Sequence, residues 1–162
     1  MELRDKNGLT EAEFLAKYKV KDYPRPSLTA DILVFAGEEC SRKLLLIRRG
    51  GHPFFGQWAL PGGFVGQGES ADDAAARELL EETGVDGLSL SQLGLYSTPG
   101  RDPRSWVVSE AYLCVESDKD LHLCAADDAS EAAWFRVEEV LVHSDAVSFV
   151  LKKEDETLSG QV

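Results

Sequence analysis

Apolar blocks alternate with polar, Gly-rich and Pro-rich stretches along the chain, and this pattern predicts strands mixed with helices. The predicted strands are 28–36, 43–48, 58–60, 88–97, 106–116 and 132–137. The predicted helices are 10–18, 71–83 and 138–156, and the last six residues are expected to fray. Because 88–97 and 106–116 resemble an antiparallel pair, we expect an α/β (α+β) fold with a mixed sheet covered by helices.

The helix predicted at 71–83 carries signals at both ends. Ser70 is a good N-cap residue, with Asp73 three positions later. Asp72 and Asp73 in the first turn suit the positive end of the helix dipole. Gly84 suits the left-handed conformation in which many helices end. The sequence therefore delimits this helix on both sides.

Length and charge limit the function classes. The 162 residues, 43% of them apolar, fit one domain, 1–162, in which 1–27 is an N-terminal extension. The net charge of −12 argues against general affinity for nucleic acid. No apolar run approaches the ~20 residues of a membrane span, and the charged N-terminus lacks the apolar region of a signal peptide. We therefore expect a cytoplasmic protein without nucleic-acid or membrane partners, whose cysteines are reduced.

Three glutamates of the predicted helix share one face. Glu78, Glu81 and Glu82 are related by spacings of three and four residues, and Arg77 relieves only one of their charges. Each pair of stacked carboxylates on an exposed helix costs about a few tenths of a kcal/mol. Hard oxygen ligands at this density suit Mg²⁺ or Mn²⁺. Taken alone, the cluster is better explained as a solvated acidic face of the helix. The residues on both sides of the cluster decide between this explanation and a metal site.

That context is the stretch GGFVGQGESADDAAARELLEETGV at 62–85. From Gly63 to Val85 it resembles the signature of the Nudix hydrolase family, G-x5-E-x7-R-E-U-x-E-E-x-G-U with U aliphatic. Every fixed position matches. The resemblance implies a Nudix-like α/β/α sandwich with a mixed sheet, in which 63–85 is the loop-helix-loop catalytic motif.

The resemblance also implies roles for the motif residues. The implied metal ligands are the carbonyl of Gly62 and the side chains of Glu69, Glu78, Glu81 and Glu82. The implied structural residues are Gly63, Arg77 and Gly84, and Arg77 is expected to orient the glutamates by ion pairing. The metal, Mg²⁺ with Mn²⁺ as a substitute, would bridge a diphosphate and activate water for attack on phosphorus. The sequence leaves one alternative open: one of the catalytic glutamates acts as the general base instead of as a metal ligand.

The implied substrate is a small molecule, a nucleoside diphosphate linked to another group. Pro99 lies fifteen residues after Gly84, and with PGRDPR at 99–104 it resembles the pattern of ADP-ribose pyrophosphatases. This favours cleavage of ADP-ribose to AMP and ribose 5-phosphate. Two alternatives stay open: hydrolysis of nucleoside triphosphates or another nucleotide sugar, and a non-catalytic module that senses ADP-ribose. Relatives of this kind also make a homodimer plausible, with 1–27 as a candidate contact segment.

Substrate-binding candidates lie outside the motif. Arg101 and Arg104 belong to the 99–104 loop, where guanidinium groups could bind phosphate, although two surface arginines in a turn would look the same. Arg48 and Arg49 end a strand near the same rim. Trp58, like its neighbours Phe54 and Phe55, is a candidate to stack on adenine, but a Trp that begins a strand is more often core.

A further acidic group is expected from a later loop. Asp128, in the acidic stretch DDASEAAW, is the candidate for a general base or an additional metal ligand. Asp127 and Glu131 are weaker alternatives in that stretch, and Glu110 is one on a strand. A solvated acidic turn would explain the stretch equally simply.

Overall fold

The computed structural model describes residues 2–117, 121–125, 129–142 and 147–161, which form nine strands and two α-helices. The strands are β1 (Ser27–Ala36), β2 (Lys43–Arg49), β3 (Trp58–Ala59), β4 (Gly62–Phe64), β5 (Ser91–Tyr96), β6 (Val107–Glu116), β7 (Ala129–Val142), β8 (Val147–Lys153) and β9 (Glu156–Gln161). The helices are α1 (Glu11–Lys17) and α2 (Ala71–Thr83). Neither helix is long and apolar enough to cross a bilayer.

All strands of the described residues join one mixed sheet. Its order is β5-β6-β1-β2-β7-β8-β9, with β3 paired to β2 and β4 paired to β1. The pair β1–β6 is parallel, whereas the other pairs are antiparallel. The mixed sheet and the antiparallel pair β5–β6 confirm the prediction. The central strand β1 therefore has β6 on one side and β2 and β4 on the other.

Helix α2 covers one face of the sheet, and its boundaries are those predicted. The Ser70 side chain accepts the backbone N–H of Asp73, and Gly84 ends the helix in the left-handed conformation at φ 72°. The apolar side of α2 is buried against β1, β2 and β6 in a cluster that includes Ala74, Ala75, Leu79, Ile32, Leu45 and Tyr112. This packing fixes the direction in which the opposite, acidic side of the helix points.

The prediction of a helix at 138–156 is wrong for the described residues, which complete β7, form β8 and begin β9. Residues 143–146 of that prediction lie outside the described residues. The last six residues are likewise not frayed in the described part, since β9 pairs with β8 through Gln161. Apolar Val137, Val140 and Leu141 have the three- and four-residue spacing of a helix face, but they belong to a strand with a register shift between Val137 and Glu139, and Val140 and Leu141 are exposed there. Leu44, Leu46, Phe135 and Leu151 form a second apolar cluster on these strands.

Candidate active site

A cavity of about 520 Å³ opens beside the acidic face of α2. Its wall is built from β1, the end of β2, β4, α2, the loop 50–54 and the segment 101–109. The wall includes the side chains of Thr29, Asp31, Arg49, Phe54, Arg77, Glu78, Glu81, Glu82, Arg101, Asp102, Arg104 and Ser109. The structure thus brings the three helix glutamates together with two of the predicted substrate-binding arginines, Arg101 and Arg104.

The glutamates differ in how far they are buried. Glu82 is only 6% exposed, and its carboxylate accepts the backbone N–H of Gly62 at 2.8 Å. The Glu78 side chain is 14% exposed and that of Glu81 is 40% exposed. The helical period accounts for their common face, and the N–H of Gly62 satisfies one oxygen of the most buried carboxylate.

Two glycines let strand β4 approach its neighbours closely. A Cβ on Gly62 would lie 2.2 Å from the carbonyl oxygen of Ala30, and φ at this position is +151°. A Cβ on Gly63 would lie 2.2 Å from Oε1 of Glu78. Any side chain at Gly63 would therefore displace the Glu78 carboxylate, which gives the first glycine of the motif a direct steric reason.

Arg77 links the carboxylates of the motif. Its Nε donates to Glu69 at 2.7 Å, and one terminal nitrogen donates to Glu78 at 2.8 Å and to Glu81 at 2.9 Å. Hydrogen bonding to Arg77, with a smaller contribution from the N–H of Gly66, lowers the pKa of Glu69 to about 2. The same glutamates raise the pKa of Arg77. These are the contacts of a residue that orients carboxylates. The predicted metal ligand Glu69 contacts Arg77 and does not line the cavity.

The donors on this wall suit a divalent metal, since carboxylate oxygens are the ligands that Mg²⁺ and Mn²⁺ prefer. Within the described ranges, no three acidic, histidine or cysteine side chains converge into a ready cage. Glu78 and Glu81 are instead turned toward Arg77. Metal binding at Glu78, Glu81 and Glu82 would therefore require two carboxylates to turn into the cavity, a rotation that side chains make without moving the helix.

The arginines of the 101–109 segment have different partners. Arg104 forms an ion pair with Asp102 at 2.7 Å, and its guanidinium lies 4.9 Å from the centre of the Phe64 ring. Hydrogen bonding to Arg104 lowers the pKa of Asp102 to about 2. Arg101 donates to the hydroxyl of Ser109, which is hydrogen-bonded to Thr29.

The structure does not bring Arg48 to the cavity, whereas Arg49 lines it. Successive strand residues point to opposite faces, so Arg49 shares the cavity face with Ile47. Arg48 instead lies over the Trp58 ring, at 5.7 Å, and 3.8 Å from Glu131. Trp58 packs on Phe135 with ring centres 4.8 Å apart, so it belongs to the second apolar cluster rather than to the cavity.

The other acidic candidates are placed differently. Asp128 and Asp127 lie outside the described residues. Glu131 pairs with Arg48 and Lys153, and neither it nor Glu110 lines the cavity. Four further polar residues of the cavity wall were not predicted from the sequence: Thr29, Asp31, Asp102 and Ser109. A signal existed for the first two, because polar residues at alternate positions of an otherwise apolar strand mark one of its faces.

Residues 25–152 match the NUDIX domain family, a range that covers most of the chain. The chain belongs to the NUDIX family. This Nudix domain is 42% identical over 121 residues to an ADP-ribose pyrophosphatase of Methanocaldococcus jannaschii, covering 75% of the chain and 67% of that protein. It is 35% identical over 137 residues to an ADPR responsive transcriptional repressor, NtrR, of Acinetobacter baylyi, covering 83% of the chain.

Solved structures agree with the mixed fold of the Nudix domain. A MutT/nudix family protein from Enterococcus faecalis has a TM-score of 0.80 at 40% identity, covering 93% of the chain and 58% of that protein. The NUDIX domain of Shewanella oneidensis NrtR, solved with ADP ribose, has a TM-score of 0.67 at 34% identity, covering 78% of the chain and 82% of that domain. The chain spans only 54% of the Acinetobacter repressor. The chain is a NUDIX family domain related to a protein named ADP-ribose pyrophosphatase.

Proposed function

We propose that this domain is a Mg²⁺-dependent pyrophosphohydrolase that converts ADP-ribose and water to AMP and ribose 5-phosphate. The observation that carries the proposal is the composition of one cavity wall, where Glu78, Glu81 and Glu82 stand together with Arg49 and Arg101. Carboxylates suit the metal and guanidinium groups suit the phosphates of a diphosphate ligand. The ADP-ribose pyrophosphatase among the relatives supports the choice of substrate.

The protein groups have separable tasks in this reaction. Glu78, Glu81 and Glu82 would hold a divalent cation, which would supply Lewis acidity and a more acidic water. Arg77 holds the motif glutamates in position until the ion binds. The base that takes a proton from the attacking water is a motif glutamate or Asp128. The water attacks one phosphorus of the diphosphate, the bond from that phosphorus to the bridging oxygen breaks, and the other phosphate leaves as part of AMP or of ribose 5-phosphate.

The direct test is product analysis with purified protein and Mg²⁺. ADP-ribose, NADH, a nucleotide sugar and several nucleoside triphosphates are incubated separately, and products are resolved by chromatography. We expect AMP from ADP-ribose at the highest rate, with loss of the product in Glu82→Gln and in EDTA. Preferential cleavage of a triphosphate would contradict the substrate assignment while leaving the metal-dependent chemistry in place.

A second candidate function is ADP-ribose sensing without turnover. It is favoured by the Acinetobacter repressor, which is named as ADPR responsive, and by the Shewanella domain solved with ADP ribose. Calorimetric binding of ADP-ribose by protein that releases no AMP over hours would select this function. Measurable turnover would reject it for this domain.

A homodimer and a cytoplasmic location complete the proposal. The homodimer is supported by the N-terminal segment, where α1 buries no residue and Phe14, Leu15 and Tyr18 are exposed. Light scattering tests the mass in solution: twice 17.8 kDa is expected for the dimer. A single-chain mass at micromolar concentration would contradict it.

A further inference from the structure

Four arginines line the cavity, and they have two kinds of partner. Arg77 and Arg104 are bound by carboxylates. Arg49 donates from Nε to the backbone carbonyl of Pro53 at 2.9 Å, and Arg101 donates to the hydroxyl of Ser109. A carboxylate cancels most of the charge of a guanidinium at short range, whereas a carbonyl or hydroxyl oxygen only orients it.

The support of Arg101 is built into the core of the sheet. Ser109 of β6 lies directly opposite Thr29 of β1 in the parallel ladder, and their hydroxyl oxygens are 2.7 Å apart. Ser109 is 2% exposed and Thr29 is 6% exposed. A guanidinium can only donate, so Ser109 accepts from Arg101, and its hydroxyl also shares a hydrogen bond with Thr29 in which either oxygen can be the donor.

Such a buried hydroxyl pair needs a reason, because hydroxyls removed from water are unfavourable unless they are hydrogen-bonded. Two apolar residues would fill these sheet positions without that requirement. The pair fixes Arg101 without supplying a negative charge. Within the described residues, no carboxylate forms an ion pair with Arg101, and the charge of Arg101 makes only the smallest contribution to the lowered pKa of Asp102.

Arg104 shows the contrasting case in the same segment. Its partner Asp102 accepts from both the Nε and a terminal nitrogen of Arg104. The Asp102 carboxylate stays ionised to low pH, since hydrogen bonding to Arg104 lowers its pKa to about 2. Arg104 and Asp102 therefore present a nearly neutral, planar pair that rests on Phe64.

We propose that Arg101 and Arg49 are the residues that bind the anionic part of the ligand, that Ser109 and Thr29 position Arg101, and that Arg104 with Asp102 is a neutral wall. The ligand class, a diphosphate, rests on the proposed function. Arg101 and Arg104, which the sequence predicts alike as phosphate-binding residues, therefore have different roles.

The first test compares removal of one charge with removal of a neutral pair. Arg101→Gln removes the uncompensated charge, and the double variant Asp102→Asn/Arg104→Gln removes the pair without changing net charge. KM and kcat for ADP-ribose are measured with Mg²⁺, along with calorimetric Kd for inorganic pyrophosphate. We expect Arg101→Gln to raise KM and Kd about 10- to 100-fold and the double variant to raise them less than about threefold. Equal losses in both variants would overturn the assignment.

The second test addresses positioning. Thr29→Val removes the hydroxyl at nearly constant volume, and Thr29→Ser keeps it. We expect Thr29→Val to raise KM about three- to tenfold, with kcat within about twofold of the unmodified protein and with recovery in Thr29→Ser. A fall in melting temperature with unchanged KM in Thr29→Val would show that the hydroxyl pair is only structural.

The pyrophosphate measurement separates this inference from the proposed function. If the unmodified protein ignores ADP-ribose but loses pyrophosphate affinity in Arg101→Gln, the substrate is wrong and the assignment of Arg101 stands. If pyrophosphate binds equally well to the unmodified protein and Arg101→Gln, or binds neither, the assignment is wrong whatever the substrate.

Discussion

Arg77 and Arg101 line the same cavity, yet the groups that accept their hydrogen bonds are negatively charged for Arg77 and neutral for Arg101. Arg77 contacts the carboxylates of Glu69, Glu78 and Glu81, whereas Arg101 contacts a buried hydroxyl. The guanidinium of Arg77 is occupied by hydrogen bonds to these carboxylates. Arg101 is itself held, so its charge is available to a ligand. A guanidinium on a cavity wall is therefore informative only together with the group that accepts from it.

The largest effect is expected from Glu82→Gln, which removes one negative charge from the acidic side of the cavity. An amide oxygen still accepts from the N–H of Gly62, so the fold should be retained, but the ligand charge is lost. We expect kcat for ADP-ribose to fall at least about 100-fold. The matched control is Glu139→Gln, the same change at an exposed position of β7, which should leave kcat unchanged. A normal kcat in Glu82→Gln would remove this residue from the metal site.

Arg77→Gln should be the next largest effect. It removes the donors to Glu69, Glu78 and Glu81 and leaves three carboxylates to repel one another. We expect a loss of about 1–2 kcal/mol in the free energy of unfolding, reduced from a buried value because Arg77 is partly exposed. Arg4→Gln, which breaks the exposed pair with Glu13, is the control and should cost less. Denaturant titration measures the free energy of unfolding of both variants. Equal losses would contradict the role of Arg77 in holding the three glutamates.

Gly63→Ala tests whether the glutamates need an exact position. The added Cβ would meet the Glu78 carboxylate at 2.2 Å, and the end of a flexible side chain can move away. We expect kcat to fall about tenfold through misplacement of that carboxylate, while the melting temperature changes little. Loss of stability without loss of kcat would show that the glycine serves packing alone.

The smallest expected effect concerns pH. The pKa of Glu69 is lowered from 4.5 to about 2, mainly by Arg77, so its contribution to stability is complete above pH 4.5. That contribution is lost as the pH falls toward 2. Glu69→Gln should therefore melt below the unmodified protein at pH 7, and the gap should close as the pH falls through this window. A gap independent of pH would mean that the ion pair does not contribute.

Local signals account for what the sequence predicted well. Ser70, Gly84 and the apolar side of α2 are neighbours in sequence, so caps and periodicity defined that helix without knowledge of the rest of the fold. Of the glutamates that the motif resemblance groups together, Glu78, Glu81 and Glu82 line the cavity and Glu69 does not. At 138–156 the register shift near Val137 concealed the alternation of a strand, and pairing with distant residues decided the structure.

The arginine side of the cavity depends on contacts that sequence patterns do not encode. Thr29 and Ser109 are 80 residues apart and meet only because β1 and β6 pair in one particular register. Whether Arg48 or Arg49 lines the cavity depends on the alternation of side chains along β2, next to a register shift between these two residues. Both facts follow from strand pairing between distant segments, which local sequence patterns do not reveal.

Strand β1 carries both sides of the cavity on one piece of backbone. Thr29 supports Arg101, while Ala30 and Asp31 pair with Gly63 and Gly62 beside the glutamates. Because this strand is central, its amide hydrogens should exchange with deuterated water only through opening of the whole domain. Ligand affinity should then survive mild denaturant until global unfolding and disappear in the same transition, so selection for binding would also maintain stability.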